Sequence, residues 1–141
     1  MAREAKVRLI HIKRRHLTNH YIGLRIAQVR VVFQLPKRAI REVAPSLETG
    51  TSPYLAYVKW FSPLAAAPDP KHHMYKVTRT TRNGRRCASV IRVDTILGSV
   101  HLFPRFGAVI PKEWNSFTVL EQCTSFFVNP FQDIDSYLRF V

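Results

Sequence analysis

Two pairs of histidines are the residues of this sequence that first suggest chemistry. His16 and His20 stand four residues apart in HLTNH, the spacing at which two imidazoles bind zinc from one face of a helix. A zinc protease with that spacing needs a glutamate beside the first histidine as general base, and Leu17 stands in its place. No third ligand is evident nearby, and the second pair, His72–His73, is typical of a proline-rich loop. We therefore predict no metal site and no cofactor.

The cysteines and carboxylates give no catalytic arrangement either. Cys87 and Cys123 have no base at a recognisable spacing and are too far apart for a metal knuckle, so we expect two free thiols. Asp133 and Asp135 flank Ile134 as in a solvated turn, and the five glycines are scattered rather than grouped into a phosphate loop. We predict that the protein is not an enzyme and has no small-molecule substrate.

Cysteine usage and hydropathy also bear on location. Free thiols are typical of a reducing, intracellular compartment. The sequence contains no apolar run that approaches the length of a membrane span, and no apolar stretch of signal-peptide type follows the basic N-terminus. We expect an intracellular protein that does not contact membranes.

Positive charge is the strongest compositional signal. The 141 residues include 22 Lys and Arg against 9 Asp and Glu, a formal net charge of +13. Residues 1–41 hold 11 of these basic residues and one acid, Glu4, so the remaining hundred residues carry a net charge of only +3. This asymmetry favours DNA or RNA as a partner, bound through its phosphates, with a merely solvated surface as the alternative. We divide the chain into a basic arm, residues 1–25, and one mostly β domain, residues 26–141. The composition of the arm leaves both an ordered and a disordered state open.

Short apolar stretches between prolines and glycines predict a mainly β fold. VRLIHI at 7–12 and IAQVRVVFQL at 26–35 predict strands, and YLAYVKWF at 54–61 is apolar on both faces, which favours a central strand. Residues 37–50 predict a helix that Pro45 limits to about two turns. The strand spacing favours a small β-barrel with one short helix. The order of its strands resembles that of SH3-like and bromo-adjacent-homology barrels, which implies a fold of that type.

Residues 74–93 predict a strongly basic β-hairpin. Asn83–Gly84 supplies the two positive-φ residues that a type I′ turn requires. The resulting register pairs three couples of residues: Arg82 with Arg85, Val77 with Val90, and Tyr75 with Arg92. A two-stranded ribbon of this kind enters a DNA groove or follows phosphates, or else its charges only oppose aggregation at a solvated tip. The candidate nucleic-acid contacts are Lys13, Arg14, Arg15, Lys76, Arg79, Arg82, Arg85 and Arg86.

Aromatic residues give a second candidate site. Four rings could line a cleft for a histone tail or another peptide: Tyr54, Tyr57, Trp60 and Tyr75. The alternative is that these rings belong to the core. A peptide site would make the partner a chromatin-associated protein, and a third alternative is an inert fragment with no selected function.

The stretch VHLFPRFG, residues 100–107, predicts a strand that Pro104 ends. We expect Phe103 and Phe106 to seal one end of the barrel. We expect Arg105 to be held through its backbone at a corner rather than to contact a ligand.

Six stretches in a fixed order resemble a known set: VRVVFQLP, PYLAYVKWF, PDPKHHMYKV, RNGRRCASVI, VHLFPRFG and FFVNPF. Over residues 26–141 the chain is similar to the C-terminal region of transposase-related proteins of mushroom-forming fungi, of the Plavaka and Kyakuja–Dileera–Zisupton kinds. The motifs that carry this resemblance are Leu55–Phe61, Arg82–Gly84, Val100–Gly107 and Phe126–Asn129.

The resemblance implies a module derived from a transposable element. In such transposases the catalytic acids and the zinc-binding cysteines lie upstream of this region, and this sequence contains neither. It therefore implies a non-catalytic module detached from the nuclease domain. Together with the positive charge, this gives the nucleus as the expected location.

Overall fold

The structure is a computed structural model that describes residues 6–12, 23–47, 53–131 and 134–140. The predicted fold class is confirmed, because the described chain is mainly β with antiparallel strands. The strands are β1 Lys6–Ile12, β2 Gly23–Gln34, β3 Tyr54–Trp60, β4 Lys76–Thr78, β5 Thr81–Arg82, β6 Arg85–Arg86, β7 Ala88–Arg92, β8 Ile96–Ser99, β9 Leu102–Pro104 and β10 Ser125–Val128. The helices are α1 Lys37–Val43, α2 Val119–Gln122 and α3 Ile134–Phe140, with 3₁₀ turns at Pro45–Leu47 and Val93–Thr95.

The largest sheet has five strands in the order β7-β3-β2-β1-β8. The prediction that 54–61 forms a central strand is confirmed, since β3 lies between β2 and β7. Strand β1 lies inside the segment assigned to the basic arm, residues 1–25, and pairs with both β2 and β8. Part of that arm is therefore a strand of the sheet.

The chain passes from one edge strand of this sheet to the other through the three residues Val93–Thr95. Arg92 and Ile96 are four residues apart, and an extended chain spans that separation with at most about 14 Å. In a flat five-stranded sheet the two edge strands would lie about 19 Å apart. The sheet therefore curls so that β7 and β8 approach each other as in a small barrel, although the described strand pairs do not join these edges.

Each face of the curled sheet has its own apolar cluster. On one face Ala27, Ala56, Val58 and Trp60 are buried together, and residues of β7, the 3₁₀ turn and β8 pack against them. The other face packs against the second sheet, whose order is β4-β10-β9, through a cluster of eight buried residues: Ile26, Phe61, Val77, Val100, Cys123, Phe126, Val128 and Phe140. The period of two in β3 explains the division, because Trp60 and Phe61 point to opposite faces.

The predicted hairpin over 74–93 is confirmed at its tip. Asn83 and Gly84 have φ angles of 51° and 73°, as a type I′ turn requires, and Arg82 pairs with Arg85. The backbone N–H of Cys87 still donates to the carbonyl of Thr80 at 2.8 Å.

Beyond Thr80 and Cys87 the predicted register is wrong. Val77 pairs with Phe126 in the second sheet, and Val90 pairs with Tyr57 in the first. The two strands separate because an isolated two-stranded ribbon buries little apolar surface, whereas β4 against β10 buries Val77 completely. The backbone of Trp60 lies at the fork, where its N–H donates to Cys87 at 2.8 Å and its carbonyl accepts from Thr80 at 3.1 Å.

The predicted strand in VHLFPRFG is confirmed as β9, which is an edge strand. Pro104 is its last residue and lies opposite Phe126, and an edge position tolerates the missing N–H of proline. Arg105 does form a corner, since its backbone N–H donates to the carbonyl of Ser125 at 2.9 Å.

The prediction that Phe103 and Phe106 seal the end of a barrel is wrong. Their side chains are 42% and 50% exposed. Leu102 packs against the core, so the strand period of two turns the next residue, Phe103, outward.

The helix predicted at 37–50 is confirmed as α1, which ends before Pro45 and buries Ile40. The two other helices were not predicted: α2 is a single turn in the connection from β9 to β10, and α3 follows Pro130. Phe140 of α3 packs against Tyr75 with ring centroids 6.2 Å apart. In the part of the chain that the structure describes, no helix is long and apolar enough to cross a membrane.

Candidate nucleic-acid interface

Two arginines stand directly opposite each other at the tip of the β5–β6 hairpin. Arg82 and Arg85 form the last pair before the turn, and both are exposed. Neither forms an ion pair with a carboxylate within the described residues. Like charges at directly opposite positions of a strand pair are destabilising. The tip therefore holds two unneutralised charges whose repulsion an external anion would relieve.

The base of the hairpin is anchored by two further arginines. Arg86 donates from Nη2 to the carbonyl of Trp60 at 3.2 Å, and its guanidinium carbon lies 5.3 Å from the centroid of the Phe61 ring. Arg79 donates from Nη1 to the backbone carbonyl of Glu121. These two predicted phosphate contacts are therefore structural anchors that hold the hairpin against β3 and α2.

Lys76, on β4, is exposed and lies opposite Phe127 of β10. The other predicted nucleic-acid contacts, Lys13, Arg14 and Arg15, lie outside the described residues. The structure thus divides the predicted set into exposed cations (Lys76, Arg82, Arg85) and anchoring ones (Arg79, Arg86).

A second cationic group, which the sequence did not reveal, surrounds the carboxylate of Glu121. Arg30 donates from Nη1 to Oε1 at 2.6 Å, and Gln28 donates from Nε2 to the same oxygen at 3.2 Å. Lys59 Nζ lies 3.9 Å from Oε2. We call Gln28, Arg30 and Lys59 the sheet donors, because β2 and β3 supply all three.

A β-bulge in β2 brings the sheet donors to this carboxylate. Gln28 lies directly opposite Lys59, and Val29 opposite Val58, but the next partner of β3, Tyr57, faces Val31. The extra residue in β2 is therefore Arg30. A bulge redirects the side chain of the extra residue, and here that side chain points to α2.

Electrostatics at this cluster reflect an excess of cations. Burial raises the pKa of Glu121, but the Gln28 hydrogen bond and the charges of Lys59, Arg30 and Arg86 outweigh it and hold the pKa below its usual value. Burial, followed by the charge of Arg79, lowers the pKa of Arg86. Three cations, Arg30, Lys59 and Arg86, thus act on one carboxylate, while Arg79 binds the backbone carbonyl of the same residue.

Several buried polar atoms near the cluster have no hydrogen-bond partner. They are Nε and Nη1 of Arg86, Oε1 of Gln28 and Oγ1 of Thr80. Buried polar groups are normally paired. The two Arg86 nitrogens are donors and suit an anion or ordered water, whereas Oε1 of Gln28 is an acceptor and suits water or another donor.

The four aromatic residues proposed for a peptide cleft are not brought together. Trp60 is 8% exposed, belongs to the cluster inside the curl of the sheet, and donates from Nε1 to Ser89 Oγ at 2.9 Å. Tyr75 packs against the other cluster. Tyr54 and Tyr57 are 49% and 37% exposed.

The residues considered first for metal or nucleophile chemistry are separated. His16 and His20 lie outside the described residues. His72 pairs with Asp69 at 3.5 Å, and no group of three histidine, cysteine or acidic residues in the described ranges has metal-binding geometry. Cys87 and Cys123 are free thiols, and Cys123 is buried with its Sγ donating to the carbonyl of Ser125 at 3.0 Å.

Comparison with protein-family models, with curated proteins and with solved structures finds no match to this chain. The resemblance to transposase-related proteins of fungi therefore stays a prediction.

Proposed function

We propose that this protein is a non-catalytic module that binds nucleic acid, DNA or RNA, through phosphate contacts and with little base readout. The observation that carries the proposal is the exposed pair Arg82 and Arg85, which lies at a hairpin tip without a carboxylate partner in the described chain. A nuclear location and an origin in a transposable element belong to the same proposal.

The anchored base of the hairpin supports this function. The backbone of Trp60 binds both strands of the ribbon, and the Arg86 side chain binds the same residue. The anchored base positions the backbone that carries Arg82 and Arg85, so less backbone entropy is lost when a phosphate binds. Cations presented in this way suit contact with the backbone of a polyanion.

The distribution of charge supports the same function. Six cations and no acid lie between residues 74 and 93, and the formal net charge of the chain is +13. Of those six, Arg92 pairs with Asp94, with Nε donating to Oδ1 at 2.9 Å. The charge that remains for a partner is therefore concentrated toward the tip of the hairpin and on Lys76.

The proposal is tested by neutralising the tip. We expect the double variant R82Q/R85Q to bind a short duplex DNA of random sequence more weakly than the wild type in a fluorescence anisotropy titration at low salt. The matched control is K37Q/R38Q, which removes the same charge from exposed positions of α1. An equal loss of affinity in both variants would show that net charge, and not the hairpin, carries the binding.

A further inference from the structure

We propose that the sheet donors Gln28, Arg30 and Lys59 form a phosphate subsite that the Glu121 carboxylate occupies in the free protein and that a nucleic-acid phosphate occupies in the complex. For the nature of its ligand this inference rests on the proposed function. The existence of the anion subsite itself can be tested without nucleic acid.

The carboxylate of Glu121 is held as a bound oxyanion would be held. Oε1 accepts from Arg30 at 2.6 Å and from Gln28 at 3.2 Å, and Oε2 lies 3.9 Å from Lys59. Both oxygens thus face donors that come from the surface of one sheet. Amide, guanidinium and ammonium groups bind phosphate oxygens by the same charge-assisted hydrogen bonds.

The subsite is open to solvent on the side of its two cations. The exposed fractions of the Arg30, Glu121 and Lys59 side chains are 38%, 40% and 23%, whereas Gln28 is completely buried. Ion pairs at this exposure contribute little net free energy. A nucleic acid that is already bound at another site of the protein presents its further phosphates at a high effective concentration, so one of them can compete with the carboxylate.

The element that carries Glu121 can stay in place while the carboxylate leaves, because Arg79 binds the backbone carbonyl of Glu121 and not its side chain. Helix α2 has four residues, and Thr118 before it makes no side-chain cap hydrogen bond to it. Its apolar residues Val119 and Leu120 are only partly buried at the margin of the core. A rotation of the Glu121 side chain toward solvent therefore frees the donors while β2 and β3 keep their positions.

Further positive charge lies beside the sheet donors. Arg86 lies near enough to influence both Glu121 and Arg30, and it has two buried nitrogen atoms without partners. The group around the carboxylate is thus an excess of cations that one acidic side chain only partly neutralises.

The direct test compares E121Q with E42Q. Both variants remove one negative charge, and Glu42 pairs with Arg38 within α1 at 3.1 Å, so E42Q opens an ion pair that involves no sheet donor. We expect E121Q to bind duplex DNA about threefold more tightly than E42Q at the same salt concentration, the size of a surface ion-pair contribution. Equal affinities of the two variants would overturn the subsite.

A second pair of variants keeps the test decisive where E121Q does not fold. R30Q removes a sheet donor, and R38Q removes the same charge from the other pair. We expect R30Q to bind DNA more weakly than R38Q. The same affinity for R30Q and R38Q would refute the inference.

A measurement without nucleic acid distinguishes the two proposals. Sodium pyrophosphate at constant ionic strength should raise the Tm of E121Q more than that of E42Q, and this result supports the subsite even where the wild type does not bind DNA and the proposed function fails. Equal shifts of Tm in the two variants would overturn the subsite, whatever the affinity of the wild type for DNA.

Discussion

The guanidinium carbon of Arg25 lies 4.7 Å from the centroid of the Trp60 ring. The same side chain donates from Nη2 to the carbonyl of Phe61 at 2.7 Å, so it covers the indole and ties β2 to the end of β3. Trp60 in turn holds both strands of the hairpin through its backbone. This stack therefore connects the interior of the curled sheet to the base of the proposed binding element.

Replacing Arg25 should destabilise the protein although the residue is charged. We expect R25A to lower the free energy of unfolding by about 1–2 kcal/mol, through the lost cation–π contact and the lost hydrogen bond to Phe61. Urea unfolding measures this loss of stability. The control is R38A, on the exposed face of α1, which we expect to change the free energy of unfolding by less than about 0.5 kcal/mol. Equal effects of the two substitutions would mean that the stack on Trp60 contributes nothing.

The buried Phe61 ring should be among the most sensitive core positions. It is completely buried and meets Phe126 edge to face with centroids 5.7 Å apart. We expect F61A to lower the free energy of unfolding by about 3–5 kcal/mol. The matched control is F117A, whose ring is 68% exposed and for which less than about 0.5 kcal/mol is expected. A small effect of F61A in urea unfolding would contradict the two-layer packing described above.

The hairpin turn depends on one glycine in the left-handed region. Gly84 has a φ of +73°, and an added Cβ would meet no atom within 4 Å, so strain alone decides the effect of a substitution. We expect G84A to cost about 1–2 kcal/mol of stability. G107A adds the same methyl group at a glycine outside this region and should be close to neutral. Similar thermal unfolding of the two variants would exclude a type I′ turn.

The hairpin also shows what local sequence patterns predict and where they stop. The Asn83–Gly84 pair favours positive φ angles whatever surrounds it, so it predicted both the type I′ turn and the pairing of Arg82 with Arg85. The partners of Val77 and Val90 depend on which distant strands cover them, β10 and β3, and local alternation contains no information about that choice.

The cluster around Glu121 could not be predicted for a similar reason. Arg30 and Glu121 are 91 residues apart, and they meet only because a bulge redirects Arg30 and because α2 lies across β2. The pattern of residues around Arg30 predicted an ordinary strand. The basic composition predicted an excess of cations correctly, but it did not predict which cations share a carboxylate.

The ionisation of Glu121 should make part of the stability depend on pH. Its pKa in the folded protein is lowered, so its contribution is present above the unfolded pKa of about 4.3 and is lost as the pH falls through the folded value. We expect the wild type to be more stable than E121Q near neutral pH, and this difference to disappear as the pH falls through the folded pKa of Glu121. Urea unfolding of both proteins at several pH values tests this, with E42Q as control. A difference that is independent of pH would mean that the carboxylate charge is not what stabilises the cluster.

The dependence of DNA affinity on salt tests the central claim most directly. For a protein that binds through phosphate contacts, the logarithm of the association constant falls linearly with the logarithm of the salt concentration, with a slope of about −0.9 for each contact. Six contacts would therefore give a slope near −5 between about 50 mM and about 200 mM salt. We expect a steep slope for the wild type and a slope shallower by about 1.8 for R82Q/R85Q, since two contacts are removed. Absence of binding at low salt, or an affinity that does not change with salt, would contradict the claim that this protein binds nucleic acid through its hairpin.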